Sequence, residues 1–414
     1  MNAAPDYAAA YVVLGTDDPG GLAGHGLTFT IGRGTEIVSA AVHALLPMVE
    51  GADAEALFAD MGAFARRLSG DSQLRWIGPE KGAVHLATAA VLNATWDLFA
   101  KARGVPLWQL VAEMSPAELV SLVDWRYLSD ALTPAAAYDL LAAQAPGRAD
   151  RIEALKSEGL PAYTTSAGWM GYDLTELRRR SEVAVADGFG AIKVKVGAGR
   201  DVDVERLEVV RDVIGDRDLL LDANQVWDVP DAVSAMAELA RFSPVWIEEP
   251  TCPDDILGHA TIARAVAPIK VASGEMAHNR VMFKQFLQAK ALGIVQLDPC
   301  RLASINEVLA VQLLAASAGI PVCPHAGGVG LCEYAQHLTA IDAIAVAGTT
   351  EGRLVEYVDA LHEHFLDPAV VEGGAYRLPS AAGFSIEMRP SSLADHRFPQ
   401  GLVWDGVLAE MEAR

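Results

Sequence analysis

The sequence predicts an α/β protein: a (β/α)8 TIM-type barrel preceded by a smaller α+β unit. Three observations carry this. Short β-rich runs recur eight times between residues 161 and 358, and helical stretches alternate with them. From the second run onward each closes on a polar residue, namely Lys195, Asp222, Glu248, Glu275, Asp298, His325 and Glu356, at intervals of 23 to 31 residues. A strand, a helix and two short loops occupy about that length, and right-handed crossovers are the usual way to join parallel strands. Finally, the first run is not followed by the glycine-rich phosphate turn that a doubly wound open sheet would normally carry.

Residues 1–115 read as the α+β unit. Ala8–Leu14 alternates as a strand does, Asp17–Asp18–Pro19–Gly20–Gly21 is turn-rich, and Leu27–Ile31 is a second strand-like piece. Residues 83–102 carry apolar side chains at helical spacing and stop near Gly104, with Pro106 just beyond. Residues 116–160 form an excursion in which VSLVDWRYL is compatible with a strand and the rest with helices. The barrel spans 161–380, with runs PAYTTS (161–166), AIKVKVG (191–197), DLLLDAN (218–224), PVWIEEP (244–250), IKVASGE (269–275), GIVQLDP (293–299), IPVCPH (320–325) and RLVEYV (353–358). Residues 381–414, with Pro390, Pro399 and Gly401, are expected to run back across the barrel or the first unit.

Composition excludes several classes of function. The 414 residues hold 32 Lys and Arg against 54 Asp and Glu, a net charge of −22, which disfavours nucleic acid and anionic membrane surfaces as partners. With 51% hydrophobic residues the chain can bury a substantial core. Cys252, Cys300, Cys323 and Cys332 form no C-x-x-C pattern and are too few to staple the chain, so a reducing, cytoplasmic compartment is expected. Asp6 stands where a secretory signal would be basic, so no export signal is expected. Val308–Cys332 lacks Asp, Glu, Lys and Arg, but Pro321, Pro324 and the glycines at 327, 328 and 330 break it into a buried helix, a strand and a glycine loop.

In such a barrel the chemistry sits at the C-terminal strand ends. Asp222, Glu248 and Glu275 end three consecutive strands, and converging carboxylates repel unless a cation joins them. An all-oxygen set suits Mg2+ better than zinc. Any one of these acids could instead cap the next helix; three in register favour the metal. Lys193 and Lys195 share one strand face, and Ile192, Val194 and Val196 supply the apolar opposite face, so both lysines are expected to point inward. Mutual repulsion is expected to lower their pKa values, leaving one able to act as a base near neutral pH. Asp298 and His325 end adjacent strands and are expected to form a proton-transfer pair. Glu356 is either a substrate holder or a plain strand terminator, and Asn224 is expected to face the same mouth.

The pieces KVK (193–195), DAN (222–224), IEEP (247–250) and SGE (273–275), together with Asp298 and His325, resemble the enolase superfamily in its mandelate-racemase-like branch, from about residue 5 to the end. PDYAAAYVVL, DSQLRWIGPEKG (71–82), PAYTTSAGW (161–169), EEPTCPDDILGHATI (248–262) and CPHAGGVGLCE (323–333) are similar, more closely, to L-fuconate dehydratases. The resemblance implies that the first unit caps the barrel. It further implies a lyase that converts a sugar acid, L-fuconate, to 2-keto-3-deoxy-L-fuconate and water. Mg2+ on Asp222, Glu248 and Glu275 would hold the substrate carboxylate and stabilise an enediolate. Lys195 would take the proton on carbon 2, with Lys193 helping to neutralise the carboxylate. His325, oriented by Asp298, would protonate the departing hydroxyl of carbon 3. Asn224, Glu356 and Tyr7 would hold the substrate, and assembly into a homo-oligomer is expected.

Two departures from the family pattern stand out. The chain starts just before Pro5–Asp6–Tyr7, so the first strand of the cap is expected to be missing, and Met276 follows Glu275 where a polar residue is expected. Another acid-sugar dehydratase of the same superfamily, or racemisation or epimerisation at carbon 2, remains an alternative. So do a Schiff-base aldolase using a strand-end lysine and a non-catalytic barrel with an incomplete cap.

Overall fold

The computed structural model describes residues 6–405. The start of the PDY segment at Pro5 and the stretch 406–414 of the expected returning tail lie outside them. Strands β1 (Ala8–Gly15) and β2 (Ala23–Thr30) form an antiparallel hairpin with Ala8 opposite Thr30 and Gly15 opposite Ala23. The helix Gly82–Arg103 packs on this hairpin. The approach is close because β2 offers glycine there: a Cβ on Gly26 would stand 2.3 Å from the Ala94 nitrogen. Gly104, at φ 68°, ends the helix in the left-handed region where glycine is at ease.

Seven parallel strands follow: β3 (Leu160–Thr164), β4 (Ala191–Lys195), β5 (Asp218–Asp222), β6 (Trp246–Glu248), β7 (Lys270–Ser273), β8 (Ile294–Val295) and β9 (Val355–Tyr357). Each of β3 to β7 pairs with the next, and β9 pairs with β3. The run 320–325, expected as a strand, is reduced to one bridge, Val295 to Val322, flanked by Cys323 N–H to Val295 O at 2.8 Å and His325 N–H to Leu297 O at 3.0 Å. Pro321 and Pro324 have no N–H to donate, so a longer ladder cannot form. The ring is nonetheless closed by packing. Tyr163, Ala191, Leu220, Trp246, Ala272, Ile294 and Cys323 come from seven successive staves and form one buried layer, against which Leu354 packs from the eighth. A hairpin of β10 (Val371–Glu372) and β11 (Ala375–Tyr376) adds antiparallel to the start of β3.

The expected strand within 120–128 is not formed. Pro116–Leu122 is a helix, with Ser115 accepting from the Glu118 N–H and the Glu118 carboxylate accepting from the Ser115 N–H. Ser-Pro-x-Glu is a helix-start signal that outweighs the apolar run after it. Residues 381–388 cross the long first-unit helix: Phe384 N–H donates to Asp97 Oδ1 at 2.7 Å, and Lys101 Nζ reaches Glu387 at 2.6 Å.

That same helix is fastened to the barrel helix Ser304–Ala318 through buried polar contacts. Trp96 Nε1 donates to Asn306 Oδ1 at 2.9 Å, and His85 Nε2 lies 2.8 Å from Glu307. Leu27 N–H to the Tyr334 hydroxyl at 2.9 Å and Thr28 Oγ1 to Cys300 O at 3.3 Å hold β2 over the C-terminal strand ends. Among the described residues no helix is long and apolar enough to cross a membrane.

Candidate active site

The alternation of each strand decides what enters the barrel. Above the apolar layer, Lys193 and Lys195 of β4, Asp222 of β5, Glu248 of β6 and Glu356 of β9 are all inward and buried. Asp222 and Glu248 are direct register partners. Lys193 Nζ lies 2.7 Å from Glu248, 2.8 Å from Glu356 and 3.6 Å from Asp222. Lys195 Nζ is bonded to Asp222 Oδ2 and stands 5.3 Å from the centre of the Trp169 ring. On the far side of the mouth, His325 Nδ1 is 2.8 Å from Asp298 Oδ2, and its Nε2 is 3.4 Å from Glu275. Asp298 is itself fixed by the Cys300 and Arg301 N–H groups at 2.6 and 3.0 Å.

The electrostatics correct one expectation. Burial does push both lysines towards neutrality, and Lys193 pushes Lys195 the same way, yet the carboxylates outweigh this. Asp222 raises Lys195, and Glu248 and Glu356 raise Lys193 well above the usual range. Two ammonium groups among this many acids attract protons. Burial opposes charge on Asp222, but Lys195 and Lys193 hold its pKa below the usual value. Glu248 goes the other way: burial, with Asp222 and Glu356 overriding Lys193, lifts it to about 8. For His325, burial favours the neutral ring, but Glu275, the Asp298 hydrogen bond and Glu356 raise it to about 10.

As the chain stands, its own cations take the acids: lysines hold Asp222 and Glu248, and Glu275 faces His325. Among the described residues no three His, Cys, Asp or Glu side chains are gathered into a group able to hold a metal ion. The donor chemistry nevertheless fits a hard dication. Asp222, Glu248, Glu249, Glu275, Asp298 and Glu356 outnumber Lys193, Lys195 and His325. Among the described residues Glu249, 1% exposed, has only the Gln225 amide as side-chain partner, at 2.8 and 2.9 Å. Burial, then Glu275 and Asp222, push its pKa well up. A surplus of buried oxygen anions is the environment that Mg2+ relieves.

Glu356 does not offer itself to a substrate. One oxygen takes Lys193 and Thr165 Oγ1, and the other accepts from Ala326 N–H at 2.8 Å, so it serves as the counter-ion of Lys193. Asn224 lies at the mouth with φ 43° and donates its backbone N–H to Asp222 Oδ1 at 2.8 Å, aligning that carboxylate. Tyr7 stands edge-on to Phe29, with ring centroids 5.5 Å apart. Tyr7 is itself exposed, and Phe29 lies against Gly328 in the loop that follows His325. Met276 receives Arg301 Nη2 at 3.3 Å from its sulfur, while Arg301 Nε donates to Glu275 O at 3.2 Å.

Four contributors were not foreseen. Gln296 donates to Glu248 Oε2 at 2.6 Å; it lies two residues before Asp298, so period-two alternation would have found it. Glu249 was inside the IEEP piece and Trp169 inside PAYTTSAGW, but their contacts come from loops of other strands. Thr165 reaches Glu356 only because β3 and β9 close the ring.

Comparison with known proteins adds the family and several relatives. Residues 4–112 match the family model "Mandelate racemase / muconate lactonizing enzyme, N-terminal domain", and residues 176–392 match "Enolase C-terminal domain-like". Mitochondrial enolase superfamily member 1 from Bos taurus is 54% identical over 99% of this chain and 93% of its own length. The solved human protein of that name superposes at TM-score 0.96 with 52% identity, over 98% of this chain and 92% of that one. L-galactonate dehydratase from Hypocrea jecorina is 49% identical over 98% of this chain and 91% of its length. L-talarate/galactarate dehydratase from Salmonella typhimurium, solved with Mg and L-lyxarohydroxamate, shares the fold at TM-score 0.71 and 22% identity, over 93% of this chain and 90% of that one.

Two expectations are thereby corrected. The special likeness to L-fuconate dehydratases is overturned, since relatives 52–54% identical over nearly the whole chain carry the mitochondrial enolase superfamily name. The cytoplasmic compartment is overturned as well, because that name places those relatives in mitochondria. The absence of a staple-like cysteine pattern describes redox conditions and does not distinguish one reducing compartment from another.

Proposed function

This chain belongs to the enolase superfamily, in its mandelate racemase/muconate lactonizing enzyme branch, and from that premise we propose that it is a Mg2+-dependent acid-sugar dehydratase. The branch membership carries chemistry of the acid-sugar dehydratase or racemase type. The step from that class to dehydration is supported by one arrangement: Lys195 and His325 face one mouth from different staves, each with a buried carboxylate partner, Asp222 for the lysine and Asp298 for the imidazole. An imidazole whose pKa is raised to about 10 carries its proton at neutral pH. With Asp298 on Nδ1, its Nε2 is placed to give a proton to a leaving hydroxyl, and the relative named L-galactonate dehydratase favours loss of that hydroxyl over return of a proton to carbon 2.

Lys193 keeps a permanent positive charge at the floor of the mouth, where the substrate carboxylate is drawn. Lys195 takes the proton from carbon 2 in the state in which Asp222 is committed to the metal and no longer holds its ammonium form. His325 Nε2 delivers a proton to the hydroxyl on carbon 3, which leaves as water, and the resulting enol becomes a 2-keto-3-deoxy acid. Mg2+, held by Asp222, Glu248 and Glu275, would supply the positive charge that acidifies carbon 2 and would relieve Lys195 of its bond to Asp222. Tyr7 and Asn224 line the entrance and contact the sugar hydroxyls, whereas Glu356 acts through Lys193.

For the substrate, the relative named L-galactonate dehydratase supports an acid of L-galactonate configuration. L-fuconate is the 6-deoxy form of that acid and shares every centre at which the chemistry occurs. A screen of epimeric six-carbon aldonates with Mg2+, reading keto-acid formation, tests the proposal. Turnover of L-galactonate or L-fuconate, stopped by EDTA, is expected. Turnover that survives EDTA would instead fit imine chemistry, and no keto acid from any acid sugar would refute the proposal.

A further inference from the structure

Arg206 lies on the helix Arg200–Ile214 that follows β4 and is 3% exposed. It spends its guanidinium on backbone carbonyls of a single loop. Nη1 donates to Tyr172 O at 3.0 Å, and Nη2 donates to Gly168 O at 3.1 Å and Trp169 O at 2.9 Å. Burying a guanidinium without a hydrogen-bonded carboxylate is costly, and burial indeed lowers its pKa.

What that loop does explains the arrangement. Gly168 O, one of the carbonyls Arg206 holds, also accepts the backbone N–H of Lys195 at 3.0 Å. The loop lies so close to β4 that a Cβ on Gly168 would stand 2.1 Å from Lys193 O. The next residue, Trp169, places its ring over the Lys195 ammonium at 5.3 Å. One turn earlier on the same helix, the buried Asp203 accepts from Gly197 N–H at 2.8 Å and Ala198 N–H at 3.1 Å, fixing the loop that leaves β4 just beyond Lys195. A single helix thus holds the chain on both sides of Lys195.

We propose that Arg206 is a positioning residue for Lys195, acting by fixing the 168–172 loop so that Gly168 O anchors the Lys195 backbone and Trp169 covers its amine. The catalytic consequence rests on the function proposed above; the geometric part does not. The test uses the intact protein and the variants Arg206→Met, Arg206→Lys and Trp169→Phe. Lys195 is labelled by reductive methylation under native conditions and quantified by peptide mass spectrometry, alongside kcat and KM on an accepted acid sugar.

In folded Arg206→Met, Lys195 labelling should rise about 3-fold or more, the scale of a lost cation–π contact. The kcat should fall while KM changes little. Arg206→Lys, whose single ammonium cannot span three carbonyls, should fall between this variant and the wild type. Trp169→Phe combined with Arg206→Met should add nothing beyond the larger single effect. Wild-type labelling in folded Arg206→Met overturns the proposal; if that variant does not fold, wild-type labelling in both Arg206→Lys and Trp169→Phe overturns it. If the wild type turns over no acid sugar, the proposed function fails, and the labelling result still decides this one.

Discussion

Lys193 Nζ lies 2.8 Å from Glu356 Oε1, and both side chains are 1% exposed. The contact joins β4 to β9 across β3, and Glu248 meets the same ammonium from β6. The charged floor of the mouth is therefore held by one lysine. Removing it strands two buried carboxylates, and an uncompensated buried charge costs about 3–5 kcal/mol. Lys193→Met should lose stability on that scale, measured by urea denaturation. A loss below about 1 kcal/mol, no more than a surface ion pair gives, would mean that the acids find other partners and that Lys193 is not the keystone of the site.

Asp298 sets both the orientation and the proton affinity of His325. Asp298→Asn keeps the shape of the contact at 2.8 Å but removes a negative charge that raises the imidazole. Activity carried by the protonated ring is lost as pH rises through its pKa, so lowering that pKa moves the alkaline limb of kcat/KM to lower pH. The rate at neutral pH should fall on the order of 10²- to 10⁴-fold. An unshifted alkaline limb in Asp298→Asn would remove His325 from the role of acid.

His337 supplies a pH test away from the mouth. It is fully buried, accepts from Trp108 N–H at 3.2 Å, donates to Ser385 Oγ at 3.0 Å, and burial pushes its pKa down to about 3. The unfolded chain protonates near the ordinary value of ~6.5 while the folded one does not, so the unfolded state binds more protons between those two values. Stability contributed here is complete above that ordinary value and is lost as pH falls towards 3, by about 2 kcal/mol at pH 5. Urea midpoints at pH 7 and pH 5 should differ less in His337→Gln than in the wild type. Equal differences in the two proteins would show that the ring takes up a proton while buried.

How much was legible in the sequence follows from what each feature depends on. The barrel was legible because its signal is periodic: a polar residue closes each run, and alternation along β4 alone puts Lys193 and Lys195 on one face. The pairing of Asp298 with His325 followed from strand order. The sign of the lysine pKa shifts was not legible, since it depends on counting charges from five different strands and not on the two lysines alone. The helix at Pro116–Leu122 was missed because an apolar run was weighed above Ser115 and Glu118. The seventh stave is shorter than its apolar run because Pro321 and Pro324 have no N–H to extend the ladder. Arg206 was invisible, because its value lies in carbonyls of a loop more than 30 residues away.

The proposed reaction divides the labour, with Lys195 taking the proton from carbon 2 and His325 expelling the hydroxyl from carbon 3. The most direct measurement is NMR of L-galactonate or L-fuconate in D2O with Mg2+ and the wild type, Lys195→Ala or His325→Asn. Wild type should form the 2-keto-3-deoxy acid, and Lys195→Ala should show neither deuterium at carbon 2 nor keto acid. His325→Asn should continue to exchange the carbon 2 proton while keto-acid formation falls on the order of 10²- to 10⁴-fold. Keto acid from Lys195→Ala, or carbon 2 exchange by the wild type with no loss of water, would contradict the account.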